Sequence, residues 1–568
     1  MKPGIISRYY ILIATIVVYL FAVWFIKPIG NYPVNDDWDF MLHVKYFSEG
    51  KYVKNSLIDA SFILQGLLGL FWSNIFGLSF DSLRLLTIIF FIIFLIGFNK
   101  ILVLFNLNNK VKLISNAALL INPYTISSSL SFMTEIYFLS FMIWSLFFFF
   151  KYIENQNKTN FYLAVILASS SILIRQFGIL LLVTFALYFA FIEKKLKNKN
   201  LVVIAAGLVI PFSINLLFPI VGTNFNSSFE KLTSLFGGFK EVIYEIAYTP
   251  LYLTYLSLTF APFILSIKTN TQIKKLGYLI IIPLSYLIFI TDIFNLRNVF
   301  HAECFYCESN FKNSLNAVDN VIFKGLLSIL ISFLIIKSFY IIKFKNFSKK
   351  DFNDKYIFTT LTLIILTYCA ILVSESFYDR YFLNIEVILI ILLAYVFQNQ
   401  IKINLTTLII SVTLFIYILF LNIEFHNSIK IKFDQTLMLN QKTGFKSAIS
   451  THGSISRYLI SKDVNPEELD SVLANGKVKC YVIRNVKGGE SFDIFFNSRF
   501  LNNKYLRNPT FKHANNFTEI PKIERFQNNI IYSKEYFSPI YNIFDKKVYI
   551  ISFCTDEAIF DHDLEVLK

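Results

Sequence analysis

Apolar runs of about twenty residues recur along most of this chain, and nothing else in it narrows the fold so far, because that length crosses ~30 Å of hydrocarbon. The first is "YYILIATIVVYLFAVWFIKPIG", residues 9–30. Others lie near 82–106, 112–131, 136–152, 160–174, 177–192, 200–220, 249–267, 276–296, 320–343, 356–374, 381–398 and 403–422. The hydropathy criterion gives about thirteen spans. The balance of the 568 residues agrees: 55% are hydrophobic, 16% are charged, and mean hydropathy is +0.56. The chain reads as a polytopic membrane protein. Its N-terminal run is too long for a signal-peptide core and lacks a small-residue cleavage site, so it reads as an uncleaved first span.

The basic residues orient it. Lys2 and Arg8 precede the first span, and "NNKVK", "EKKLKNKN", "KTNTQIKK" and "KFKNFSKKDFNDK" fall on the same side. By the positive-inside rule these loops and the N-terminus face the cytoplasm, as in a bacterial inner membrane protein. An odd number of spans puts the C-terminus outside. The formal charge of +15 sits mostly in these loops, so it argues for a membrane topology and against a nucleic-acid partner. Five cysteines are too few for a disulfide scaffold.

After Leu421 the character changes. Residues 423–568 are polar, with alternating stretches such as "VKCYVIRNV" and "KKVYIISFC" that read as strands with helical patterns between them. The expected architecture is an all-α transmembrane domain over 1–422 and a smaller soluble α/β domain over 423–568, outside the cytoplasm. The loop 31–81 is long for a connection and contains the apolar segment 60–80. That segment cannot cross without breaking the charge rule, so it reads as a helix in the outer interface. Loops of this length are usually functional.

At the start of this loop, "NYPVNDDWDF" places Asp36, Asp37 and Asp39 at the membrane surface. Neighbouring carboxylates raise one another's pKa, and one so placed can take a proton from a hydroxyl. Asp before an amphipathic helix is equally an N-cap, and spacing alone leaves both readings open. Glu135, in "SLSFMTEIYFL", occupies a short outer turn at the same face, as a turn residue or as part of an acidic cluster. Arg175 lies inside the apolar "ILIRQFGIL", where a charge is costly and has a purpose, structural or functional. Arg380, in "SFYDRYFLN", opens a late span and either pairs locally or meets a phosphate, whose oxygens match an Arg fork. Arg84 begins the second span as an interfacial anchor or a substrate contact. Outer acids with outer arginines suggest a phosphate-bearing lipid substrate and a nucleophile activated by a carboxylate. "HAECFYCE" offers His301, Cys304 and Cys307, short of the four ligands of a closed zinc site. Paired aspartates could also hold a divalent cation, and metal use stays open.

"VNDDWDFMLHVKYFSEGKY" resembles the first outer loop of the GT-C superfamily of glycosyltransferases, which includes the protein O-mannosyltransferases and the lipid A aminoarabinose transferases. "ILQGLLGLFWSNIFGLSFDSLRLLTIIF" is similar to their interfacial helix and second span, and "NPYTISSSLSFMTEIYFLSFMIWSLFFFFKY" to their third and fourth. "LASSSILIRQFGILLL" resembles their Leu-x-Arg/Lys segment, and "FYDRYFL" their Arg-Tyr before a late span. The resemblance covers residues 1 to about 200 and 370–398.

It implies a membrane enzyme moving a sugar from a polyprenyl-phosphate donor to an acceptor hydroxyl of a glycan, lipid or protein, with inversion. Asp36 would be the general base and Asp37 would support acceptor binding. Glu135 would shape the acceptor site. Arg175, Arg380 and Tyr381 would lie near the lipid phosphate. The His- or Lys-Pro often found on the interfacial helix is absent, and Gln65 stands near that place. The alternatives are a transporter or flippase of lipid-linked saccharides, for which internal repeats are the signature, and a membrane-anchored binding protein. No repeat is visible, and a binding protein has no need of Arg175.

Overall fold

A computed structural model describes residues 5–34, 36–52, 60–194, 198–217, 257–268, 280–286, 321–344, 354–372, 381–443, 448–450, 458, 480–486, 530–536 and 548–554. Helix is the only backbone form here that satisfies its own hydrogen bonds in an apolar surround. The N-terminal half runs through α1 (Ile5–Ile26), α2 (Asp37–Ser48), α3 (Ile63–Phe76), α4 (Phe80–Leu104), α5 (Asn109–Ile121), α6 (Pro123–Ser129), α7 (Thr134–Asn155), α8 (Lys158–Ile172), α9 (Ile179–Tyr188) and α10 (Asn198–Leu217). Then follow α11 (Ala261–Ser266), α12 (Val321–Phe344), α13 (Lys355–Leu372), α14 (Phe382–Val396) and α15 (Leu405–Thr443). Polar caps mark several starts: the side chains of Ser79, Asn108 and Asn157 accept from the backbone nitrogens of Ser82, Val111 and Thr159.

Among the described residues, six helices are long and apolar enough to cross a membrane. They cover Tyr9–Ile26, Phe80–Leu104, Thr134–Asn155, Gln176–Glu193, Lys355–Leu372 and Leu405–Gln441. The expected span 249–267 is described from residue 257 on, where it includes the six-residue α11, and most of the expected span 276–296 lies outside the described residues. The expected span 112–131 is two helices. Asn122 turns the chain between them, and its side chain accepts from the nitrogens of Tyr124 and Thr125 at 2.9 and 3.3 Å, while Pro123 opens α6. The pair expected at 160–192 is also two helices. They meet at Arg175, whose backbone is extended, and at a 3₁₀ turn over Gln176–Gly178. The helix that holds the last expected span, 403–422, runs on past that span. Helix α15 continues for 39 residues, about 58 Å, because its polar side chains Asn422, His426, Lys432, Gln435 and Asn440 are buried rather than solvated.

The core is centred on α4, α7 and α8. Without a hydrophobic gradient between helices, small residues and polar pairs hold them. Ser140 Oγ donates to the Phe90 carbonyl at 2.8 Å, Trp144 Nε1 to Ile93 at 3.0 Å, and Ser145 Oγ to Ala164 at 2.7 Å. Asn99 and Asn116 join α4 to α5 by reciprocal amide bonds of 2.9 and 3.0 Å. Beyond α15, strands β1 (Ala448–Ser450), β2 (Cys480–Val486), β3 (Ile530–Tyr536) and β4 (Val548–Cys554) form one sheet in the order β1-β2-β4-β3. β1 runs parallel to β2, the other pairs are antiparallel, and α15 packs against β1, β2 and β4. The helices expected between these strands lie outside the described residues.

Segment 60–80, expected as an interfacial helix, contains the 14-residue α3. It enters through Phe62, a non-glycine residue with φ of 58°. Such a conformation persists only where its surroundings over-determine it. Here the Phe62 nitrogen donates to the Ile174 carbonyl and the Leu64 nitrogen to Leu173, both at 3.1 Å, while the Phe62 ring stacks on Phe40 at 4.8 Å. The loop between α1 and α4 is thus pinned to the break between α8 and α9. That break needs Gly178: a methyl group there would sit 2.6 Å from the Ile172 nitrogen and 2.8 Å from the Ser171 carbonyl carbon. Both atoms are backbone and cannot swing aside. Gly178→Ala is expected to destabilise the protein by about 1–3 kcal/mol, the usual range for overpacking, as read by unfolding in detergent. A melt identical to the parent would show that the break is not held by this contact.

Candidate functional site

The acids that follow α1 have three different surroundings. Asp36 is half-buried at the N-cap of α2, yet its side chain makes no capping bond. Its backbone carbonyl accepts from the Asp39 and Phe40 nitrogens at 3.0 and 3.2 Å. The cap reading therefore does not account for its carboxylate. Asp37 is fully buried; Oδ1 accepts from the Val34 nitrogen at 2.9 Å, and Oδ2 lies 3.5 Å from the Arg84 guanidinium. Asp39 is buried too, with Oδ1 3.5 Å from Nδ1 of His43, which donates to the Asp39 carbonyl at 2.7 Å.

Arg84 is 2% exposed and serves the chain itself. It donates to the carbonyls of Pro28 at 3.0 Å and Gly30 at 2.7 Å, and to that of Tyr32. Its guanidinium lies 4.6 Å from the Tyr32 ring centre and 3.7 Å from Asp81. Asp81 in turn accepts from the Gly30 nitrogen at 2.7 Å. Of the two sequence readings of Arg84, anchor or substrate contact, this geometry fits an anchor that fastens the exit of α1 to the start of α4. Burial raises the Tyr32 hydroxyl to about 12, opposed by Arg84, so it stays a neutral phenol bonded to His426 Nδ1 at 3.0 Å.

A second group of candidates comes together at the α8–α9 break. Arg175, 5% exposed, donates from Nη1 to Oε1 of Glu135 at 3.0 Å, and Glu135 is 1% exposed. The Arg175 guanidinium lies 4.6 Å from the ring centre of Tyr381, which itself packs edge-on to Phe177 at 5.5 Å. Gln65 is fully buried and donates from Nε2 to the Phe132 carbonyl at 3.4 Å, three residues before Glu135. Gln65, Glu135, Arg175 and Tyr381, spread over more than three hundred residues of sequence, therefore share one region. The two groups of candidates are joined by the aromatic ring of Phe62, which touches Phe40 of α2 and lies edge-on to Phe132 at 6.2 Å. Arg380, His301, Cys304 and Cys307 lie outside the described residues. Among the described residues, no group of three or more His, Cys, Asp or Glu side chains is placed to hold a metal ion.

Two buried polar residues of α14 match no motif, and they lie on opposite sides of the helix. Glu386 is buried and accepts from the Asn122 amide. Asn384 is buried one helical turn beyond Tyr381. The signal for both was present in "YFLNIEVILIILL", since ionisable or amide side chains inside an apolar run are costly there.

Residues 63–218 match the family model of dolichyl-phosphate-mannose-protein mannosyltransferases. No curated protein matches the chain in sequence. Among solved structures, the chain is similar to ArnT from Cupriavidus metallidurans. The apo form gives 11% identity over 83% of this chain and 92% of that one, with a TM-score of 0.36. The form bound to undecaprenyl phosphate gives 10% identity over 84% and 93%, with a TM-score of 0.38. The segment from α3 to α10, which carries Gln65, Arg84, Glu135 and Arg175, thus matches a family of the GT-C superfamily of glycosyltransferases, the superfamily the sequence resembles.

Proposed function

We propose that this chain is a membrane glycosyltransferase that moves a sugar from a polyprenyl-phosphate donor to an acceptor hydroxyl at the outer face, with inversion. The observation that carries the reading is the buried Glu135–Arg175 pair against Tyr381, inside the segment that matches the mannosyltransferase family. A buried guanidinium held at one end by a carboxylate keeps its planar fork in one orientation. An anionic phosphate ester is the ligand chemistry that such a fork suits. Tyr381 is assigned as an aromatic wall for the same phosphate, and Arg380, adjacent to it in sequence, is assigned as a second cation.

In the proposed reaction the acceptor oxygen attacks the anomeric carbon from the face opposite the phosphate. The anomeric carbon–oxygen bond to phosphate breaks, and the electron pair leaves with the polyprenyl phosphate. The acceptor proton passes to the carboxylate of Asp36. Of the acids at the loop entrance, Asp36 suits this task best: it is the more exposed of the adjacent pair and does not cap its helix, whereas Asp37 is committed to Arg84 and the Val34 nitrogen. Asp37 supports the acceptor side by fixing the backbone that carries Asp36. Glu135 shapes the acceptor side and orients Arg175. Arg84 acts through the backbone of residues 28–32.

The base and the phosphate ligands separate experimentally. Asp36→Asn keeps shape and removes the base, so turnover should fall by roughly 10²–10⁴-fold while donor binding holds. Arg380→Ala should first weaken donor binding, by about 1.5–3 kcal/mol, as expected for a lost charge-assisted bond. Titration of the purified protein with a polyprenyl-phosphate sugar, together with turnover, distinguishes them. Full activity in Asp36→Asn would remove the base from Asp36. Equal loss of donor binding in both variants would place the acids in the donor site.

A further inference from the structure

Asn384 is 2% exposed, and among the described residues neither its Nδ2 nor its Oδ1 has a hydrogen-bond partner. A primary amide carries two donors and an acceptor with two lone pairs, and burying all of them unpaired is a standing cost that an apolar side chain of similar size would avoid. Nothing within α14 relieves it. Glu386, two positions on, falls on the opposite side of the helix and is engaged by Asn122. Tyr381, three positions back, is on the same face, and its ring packs against Arg175. In the region of Arg175, Oε1 of the fully buried Gln65 is also without a hydrogen-bond partner among the described residues, its Nε2 being spent on the Phe132 carbonyl. Gln65 is placed there by the Leu64 nitrogen bound to the Leu173 carbonyl, two residues from Arg175.

We infer that Asn384, aided by Gln65, reads the hydroxyls of the sugar carried by the donor, beside the phosphate assigned to Arg175. The inference rests on the glycosyltransferase reading above and adds to it the residues that set donor specificity. The ligand chemistry follows from the groups left unpaired. A phosphate calls for cations, and a prenyl chain calls for apolar walls. Neutral amides that still have donors and acceptors to satisfy match hydroxyl groups, each of which donates and accepts at once. A site built to bond a hydroxyl also rejects an analogue that lacks it, because its own buried groups are then left unpaired.

The test uses the full chain in nanodiscs. Binding is measured for undecaprenyl phosphate and for the same lipid carrying mannose, glucose or 4-amino-4-deoxyarabinose, alongside thermal unfolding. The parent should hold one of the sugar-bearing lipids about tenfold or more tighter than the bare phosphate lipid. Asn384→Leu should erase that advantage, keep the affinity for the bare lipid, and melt at or above the parent. Asn384→Ala should show the same binding pattern if the leucine variant does not fold. The inference is overturned if either folded variant keeps the preference for the sugar-bearing lipid, or if the parent binds bare and loaded lipids alike. It is also overturned if both variants melt well below the parent, since the amide would then be holding the fold. A parent that binds none of these lipids overturns the glycosyltransferase reading itself.

Discussion

The ion pair between Glu135 and Arg175 is the contact on which the rest of this region depends. Each partner is buried in an apolar surround, where a lone charge is strongly unfavourable, so neither side chain is tolerable without the other. The pair ties the first turn of α7 to the break between α8 and α9. That break presents the Leu173 and Ile174 carbonyls, which anchor the entrance of α3 and hold Phe62 in its left-handed conformation. Tyr381 closes the far side. One electrostatic requirement thus sets the positions of four segments distant in sequence.

Arg84 does the corresponding work at the mouth. It gathers three carbonyls of the 28–32 turn and two carboxylates, and so fixes the direction in which α1 hands over to α2. Asp36 directly precedes Asp37, whose carboxylate lies 3.5 Å from the Arg84 guanidinium. The proposed base is therefore delivered by a rigid exit rather than by a free loop, which is what a proton transfer over hydrogen-bond distance requires. The polar extension of α15 adds to this mouth, since His426 meets Tyr32 and the ring of Phe80 lies 5.1 Å from that of Tyr458.

Much of this organisation was legible in the sequence, and the parts that were not share a physical cause. Spans with continuous hydropathy, such as α4 and α7, were placed within a few residues. Charges in apolar surroundings and a resemblance in motif order point to Asp36, Glu135, Arg175 and Arg380 as one site; the structure pairs Glu135 with Arg175 beside Tyr381, leaves Asp36 in the separate group at the exit of α1, and does not describe Arg380. Hydropathy failed where burial and polarity part company. It gives the last span, 403–422, but not the end of the helix that holds it, since α15 runs on to Thr443 with its polar face packed inside. It merged α5 with α6, where Asn122 and Pro123 punctuate the chain. Arg84 was left between two readings because spacing cannot tell whether a guanidinium faces a ligand or its own backbone. Asn384 and Glu386 were passed over because they match no motif, although their cost in an apolar run was readable from "FLNIEV" alone.

The dependence of the site on the buried pair is measured most directly by a double-mutant cycle with Glu135→Gln and Arg175→Met, read as unfolding free energy in detergent. Each single substitution leaves a buried group without its ion-pair partner, so each should destabilise by about 3–5 kcal/mol. The double variant removes both charges together and should cost less than the sum, with a coupling of at least about 1 kcal/mol. Costs that add to within about 0.5 kcal/mol would contradict the account, because the two side chains would then be stabilised independently and Arg175 would owe its orientation to something other than Glu135.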